Sequence, residues 1–102
     1  MSEGKIKNYL NVLKNEEQQF LNFLKAKYPM FHKSNFFYRD LQFGIRKYFE
    51  IKGIDISYGD SEKLTDKFAE YLEQKGIFIR VSNQVWALDY TEFVTTVPGD
   101  PL

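Results

Sequence analysis

Metal binding and acid–base catalysis both need several convergent groups, and this chain offers few. His32 is its only histidine, and it has no cysteine. His32 lies in a loop after Pro29, and no cysteine or second histidine can join it there. Asp55, Ser57, Gly59 and Asp60 faintly resemble a calcium loop. The glycine falls one position early, however, and Asp66 rather than Glu stands twelfth from Asp55. That stretch reads as a turn leading into a helix cap. The sequence carries no nucleophile elbow, phosphate-binding glycine loop or dinucleotide fingerprint. The expectation is a non-enzymatic protein with no cofactor, no metal and no small-molecule substrate.

What remains is binding chemistry, carried by charges and rings. Glu62, Lys63, Asp66, Lys67, Glu70 and Glu73 fall on the polar side of one helical stretch. They read as a solvated face with internal ion pairs. Lys25, Lys27, Lys33, Arg39, Arg46, Lys47 and Lys52 come earlier, with Phe36 and Tyr38 among them. They read as solubilising charge, or as a basic surface with aromatic platforms. Residues 1–52 hold ten Lys and Arg against five acids, and residues 53–102 hold four against nine. The halves are thus +5 and −5 in a chain of zero formal net charge. A phosphate-binding domain normally carries a basic excess, so only the first half could offer one. Aromatic residues make up 18% of the chain, ten of them Phe, and this excess predicts some exposed rings.

A chain of 102 residues is the size of one domain. Size scaling predicts an accessible surface of roughly 6,000 Å², enough burial for one core without disulfides. Met1–Lys7 is polar and charged, and no apolar run approaches a membrane span or a signal segment. A soluble cytoplasmic protein is the expectation.

The elements follow from apolar spacing. Asp60–Leu88 organises the chain. Leu64, Phe68, Ala69, Tyr71 and Leu72 share one face of a helix over Ser61–Gln74, with Asp60 or Ser61 as its cap and Gly76 as its stop. Ile77–Val81 and Val85–Leu88 then form a hairpin across Ser82, Asn83 and Gln84. Trp86 shares a strand face with Leu88 and Tyr90, while Val85 and Ala87 share the other. Both faces are apolar, so a partner or the tail could cover one.

Ahead of this unit, Ile6, Tyr9, Leu10 and Leu13 make a leading helix within residues 1–14. Asn15 with Gln18 resembles a capping box for a second helix over about Glu16–Tyr28, burying Phe20, Leu21, Leu24 and Tyr28. One continuous helix fits nearly as well, and Pro29 stops either. Phe36-Phe37-Tyr38 reads as a short strand or as the first turn of the next helix. From Asp40, residues Leu41, Ile45, Tyr48 and Phe49 share a helical face that ends at Gly53. Gly44 in its middle suits close approach by a neighbouring helix. Ile54 and Ile56 alternate with polar residues, as in a short strand. Residues 89–102, with Tyr90 and Phe93, form a C-terminal arm.

The order helix, short apolar segment, helix, helix, hairpin resembles the winged-helix superfamily. Leu72, Gly76 and Ile77 match the step from third helix to hairpin, in the stretch Phe68–Ile77 followed by Val85–Leu88. The resemblance covers about Asn15–Leu88. It implies an α+β domain, with a three-helix core and a C-terminal hairpin over residues 15–88 and an extra N-terminal helix. It also implies a third helix that reads DNA in many members and serves protein binding in others. The connection Gly53–Asp60 is longer than that of a compact helix-turn-helix, and the turn Ser82–Gln84 is too short for a reaching wing.

The favoured expectation is therefore a protein-interaction module, a homodimer, with Ile6, Tyr9, Leu10, Leu13, Trp86, Tyr90 and Phe93 as the contacts. The alternative is a winged-helix DNA-binding regulator. Ser61, Lys63 and Thr65 would be its contacts from the third helix, and Arg39, Arg46 and Lys47 those from the basic half.

Overall fold

The computed structural model describes residues 2–28, 30 and 32–89. In chain order the elements are α1 (Ser2–Asn15), α2 (Glu17–Lys27), β1 (Asn35–Phe37), α3 (Tyr38–Ile51), α4 (Tyr58–Gln74), β2 (Phe78–Ser82) and β3 (Val85–Leu88). The strands form one antiparallel sheet in the order β1-β3-β2. This is the expected α+β class in a winged-helix-like layout, with α2, α3 and α4 as the core, a C-terminal hairpin and α1 added. Tyr90, Phe93 and the rest of the arm lie outside the described residues.

The first two helices are separate, though barely. Glu16 donates its N–H to Val12 O at 2.9 Å, and its own carbonyl accepts from Phe20 at 2.8 Å. Its φ of −108° and ψ of 29° break the ladder between them. The expected capping box at Asn15 does not form, and no side chain caps α2. Glu16, not Asn15, occupies the cap position, and its N–H already has a partner. Gln18 instead donates to Asn22 at 3.3 Å.

Phe36 and Phe37 belong to strand β1, and Tyr38 begins α3 directly after them. Ile54 and Ile56 join no strand, but Ile56 is buried in the core. The helix α4 starts before the expected Asp60 or Ser61. Ser57 is its cap, accepting the Asp60 N–H at 3.1 Å. Gly76 ends it at φ 78°, where only glycine sits without strain. The Gly76 N–H bonds Glu73 O and the Ile77 N–H bonds Leu72 O, both at 3.0 Å, which closes the last turn and aims the chain into β2.

The core lies where α4 meets everything else. Leu64, Phe68 and Leu72 are enclosed by Phe20, Leu21 and Leu24 of α2, Leu41, Ile45 and Phe49 of α3, and Ile6 and Leu13 of α1. The inner sheet face adds Phe36, Phe78, Trp86 and Leu88. Gly44 lets α2 come close, since a Cβ there would stand 2.3 Å from Leu24 Cδ2. The strands β2 and β3 pair regularly from Phe78 to Arg80, after which the register shifts between Arg80 and Ser82. The accessible surface is 6201 Å², close to the scaling value.

Among the described residues the aromatic side chains are largely internal. Phe20 meets Tyr48 edge-on at 5.0 Å and Phe68 at 5.5 Å. Tyr hydroxyls at the core's rim reach carboxylates: Tyr48 donates to Glu16, and Tyr71 donates to Glu17 at 2.7 Å. The Lys52 and Lys75 ammonium groups complete these pairs at 3.0 and 2.6 Å.

Candidate functional site

Two surfaces of opposite sign meet at the junction of α3 and α4, with Tyr38 between them. Tyr38 is placed by the abrupt change from β1 to α3, and its N–H bonds Gln84 O in the hairpin turn at 3.0 Å. Its ring stacks on Trp86 with centroids 6.2 Å apart. Its hydroxyl donates to Asp66 Oδ1 at 2.8 Å and lies 3.2 Å from Glu62 O. Burial first, then the hydrogen bond to Asp66, pushes the phenol well above its ordinary pKa.

On one side is a cleft of about 480 Å³ between α4 and the hairpin. Glu62, Asp66, Glu70 and Glu73 line it from successive turns of α4, with the Tyr38 ring at its wall and the fully buried Trp86 behind. Arg80 is its one cationic lining residue. That charge is engaged: Arg80 Nη2 pairs with Glu73 Oε2 at 2.7 Å, and its Nη1 donates to Asn83 O at 2.6 Å. The cleft is thus anionic. It is suited to cations and hydrogen-bond donors and repels phosphates.

On the other side Arg39, Gln42, Phe43 and Arg46 of α3 and Tyr58 of α4 line a hollow of about 160 Å³. Phe43 is 51% exposed and Tyr58 63%. Gln42 is held from below, its amide donating to Ser61 Oγ at 2.9 Å. Lys47 stands beside them and pairs with Glu50 at 3.0 Å.

A third, apolar surface is the outer face of the sheet. Phe37, Ile79 and Val81 are at least half exposed there, and the register sets Phe37 opposite Val85 and Ile79 opposite Ala87.

Several expected contacts are elsewhere. Ser61 and Thr65 are fully buried. The Ser61 hydroxyl donates to Tyr58 O at 2.7 Å and the Thr65 hydroxyl to Ser61 O at 2.6 Å. Neither can reach a base edge, because both are buried, Ser61 against Gln42 of α3. Lys63 is exposed as expected, but it does not line the cleft. Trp86 is fully buried in the chain's own core, so it has no surface to offer a partner. The same holds for Ile6 and Leu13, because α1 lays its stripe along α4. Tyr9 and Leu10 are partly buried against that core, and Tyr9 packs on Phe49 at 5.1 Å.

Arg39, Arg46 and Lys47 do share one surface. The exposed rings beside them, Phe43 and Tyr58, were not singled out from sequence. Phe43 lies off the apolar stripe of α3, which is a signal for exposure, whereas Tyr58 stands in line with the α4 stripe and is exposed because it opens the helix's first turn. His32 Nδ1 lies 3.8 Å from Asp89 Oδ1, and no trio of metal-ligating side chains converges among the described residues. No helix among the described residues is long and apolar enough to cross a membrane. Comparison with models of known families, with curated proteins and with solved structures found no match.

Proposed function

We propose that this chain is a non-enzymatic, cytoplasmic protein-interaction module of winged-helix type that associates with itself. One observation carries this reading. The exposed side of α4, the helix that DNA-binding winged helices lay in the groove, presents Glu62, Asp66, Glu70 and the Arg80-paired Glu73 against Lys63 and Lys67, a net negative face. Four carboxylates on successive turns would face phosphates with like charge. Large apolar side chains stand exposed on both remaining surfaces, and burying them favours a protein partner.

The second reading is a DNA-binding regulator. Arg39, Arg46 and Lys47 on one face favour it, with Lys63 as the α4 cation. Titration against random duplex DNA at low salt separates the two. The module shows no salt-sensitive binding. Binding that falls steeply with salt and weakens in Lys63→Glu or Arg46→Glu would overturn it. Light scattering after size exclusion tests self-association, and a monomer at high micromolar concentration removes it.

A further inference from the structure

The geometry points to the α3–α4 junction as the face through which two copies of this chain dock about a two-fold axis. This rests on the self-association proposed above and names the surface that carries it. The cationic hollow and the anionic cleft adjoin. Tyr58 of the hollow and Glu62 of the cleft are one turn apart on α4, and Tyr38 bonds Asp66 while its neighbour Arg39 lines the hollow.

Four of the charges on this face, Arg39, Arg46, Glu62 and Glu70, have no ion-pair partner within the chain's described residues. Lys47, Lys52, Lys75 and Arg80 are all paired within the chain. Unpaired charges of both signs therefore gather side by side, with the exposed rings of Phe43 and Tyr58 among them.

A two-fold interface must be self-complementary, since each patch meets its own copy reversed. A patch with a cationic half and an anionic half meets that requirement. Rotation sets Arg39 and Arg46 of one copy against Glu62 and Glu70 of the other, twice over. Phe43 and Tyr58 are then shielded from water between the two charged contacts. A standard interface takes about 800 Å² from each partner, a small share of the 6201 Å² surface. The outer sheet face is apolar as well, but it brings no opposed charges to fix orientation.

The test uses the full chain and sedimentation or light scattering over a concentration series. Arg39→Glu with Arg46→Glu in one variant, and Glu62→Lys with Glu70→Lys in another, should each weaken dimerisation by about tenfold or more. Thermal melts establish that both variants fold. Mixing the two should restore a dimer, because every reversed contact is then matched. Ile79→Ser with Val81→Ser on the sheet face should leave the dimer intact. A wild-type dimer that ignores both charge reversals, or that only the sheet variant dissociates, overturns this face while leaving self-association standing. Failure of the folded variants to pair on mixing also overturns it. A wild-type monomer overturns self-association itself.

Discussion

Glu73 accepts the indole N–H of Trp86 at 2.7 Å, across the seam between α4 and β3. The same carboxylate oxygen meets Arg80 at 2.7 Å, and the Arg80 guanidinium lies 5.2 Å from the centre of the indole ring. The chain's only tryptophan is therefore fully buried with its single donor satisfied. This contact fastens the last turns of α4 to the hairpin.

Removing the acceptor should be costly. Glu73→Leu leaves a buried N–H without a partner, and about 1–3 kcal/mol of stability should be lost. Glu73→Gln keeps an acceptor and should lose less. Urea unfolding followed by Trp86 fluorescence measures both. A Glu73→Leu protein as stable as the wild type would refute the role given to this bond.

Alkaline pH should destabilise the fold. Burial, followed by the hydrogen bonds to Asp66 and Glu16, raises the Tyr38 and Tyr48 phenols above their ordinary value. A raised folded-state pKa means that the neutral form is the stabilised one. The contribution is complete below about pH 10, where unfolded tyrosine is neutral. It is lost as pH rises from there toward the folded values, because the unfolded chain ionises first. Phenolate absorbance should show these two hydroxyls ionising late or together with unfolding. Tyr38→Phe and Tyr48→Phe should each flatten the alkaline decline.

At the acid end Glu16 has the opposite sign. The Tyr48 hydroxyl, and then Lys52, hold its carboxyl below the ordinary value of 4.5. Its contribution is present above that value and disappears as pH falls through the lower folded one. Chemical denaturation at a series of pH values should show a shallower acid decline in Glu16→Gln. An unchanged slope would remove Glu16 from the account.

Gly44→Ala should destabilise despite the better helix propensity of alanine. The new Cβ would meet Leu24 Cδ2 at 2.3 Å, and Leu24 is fully buried with little room to move. Overpacking of this kind costs about 1–3 kcal/mol, against a gain of at most about 1 kcal/mol. Leu24→Ala should relieve the clash, so a double-mutant cycle should show coupling between the two sites. Simple additivity would show that α2 and α3 part without strain.

The helices were legible because each buries a stripe at spacings of three and four. The end of α4 was legible because Leu72, Gly76 and Ile77 form a local motif. Its start was less clear. Ser57 followed three residues on by Asp60 was a capping signal, but the acids nearer the stripe drew the boundary inward. By their place in the helix Ser61 and Thr65 suit a DNA-reading face. Yet they stand four, three and four residues apart with Phe68 and Leu72, so the stripe itself put them inside. The pairing of β1 with β3 and the bond from Glu73 to Trp86 link residues far apart in the chain, beyond the reach of local pattern. The face proposed for self-association was only half visible. Arg39, Arg46 and Lys47 could be grouped along α3, whereas Tyr58 joins them only once α4 has folded back.

Among the described strands β2 pairs with β3 alone, so its other edge has no strand partner among the described residues. A templated fibre needs roughly six or seven evenly stacked residues. The slip between Arg80 and Ser82 leaves only Phe78–Arg80 in regular register, so a foreign strand arriving there loses step almost at once. On this side the sheet thus offers an incoming strand a regular run shorter than such stacking needs.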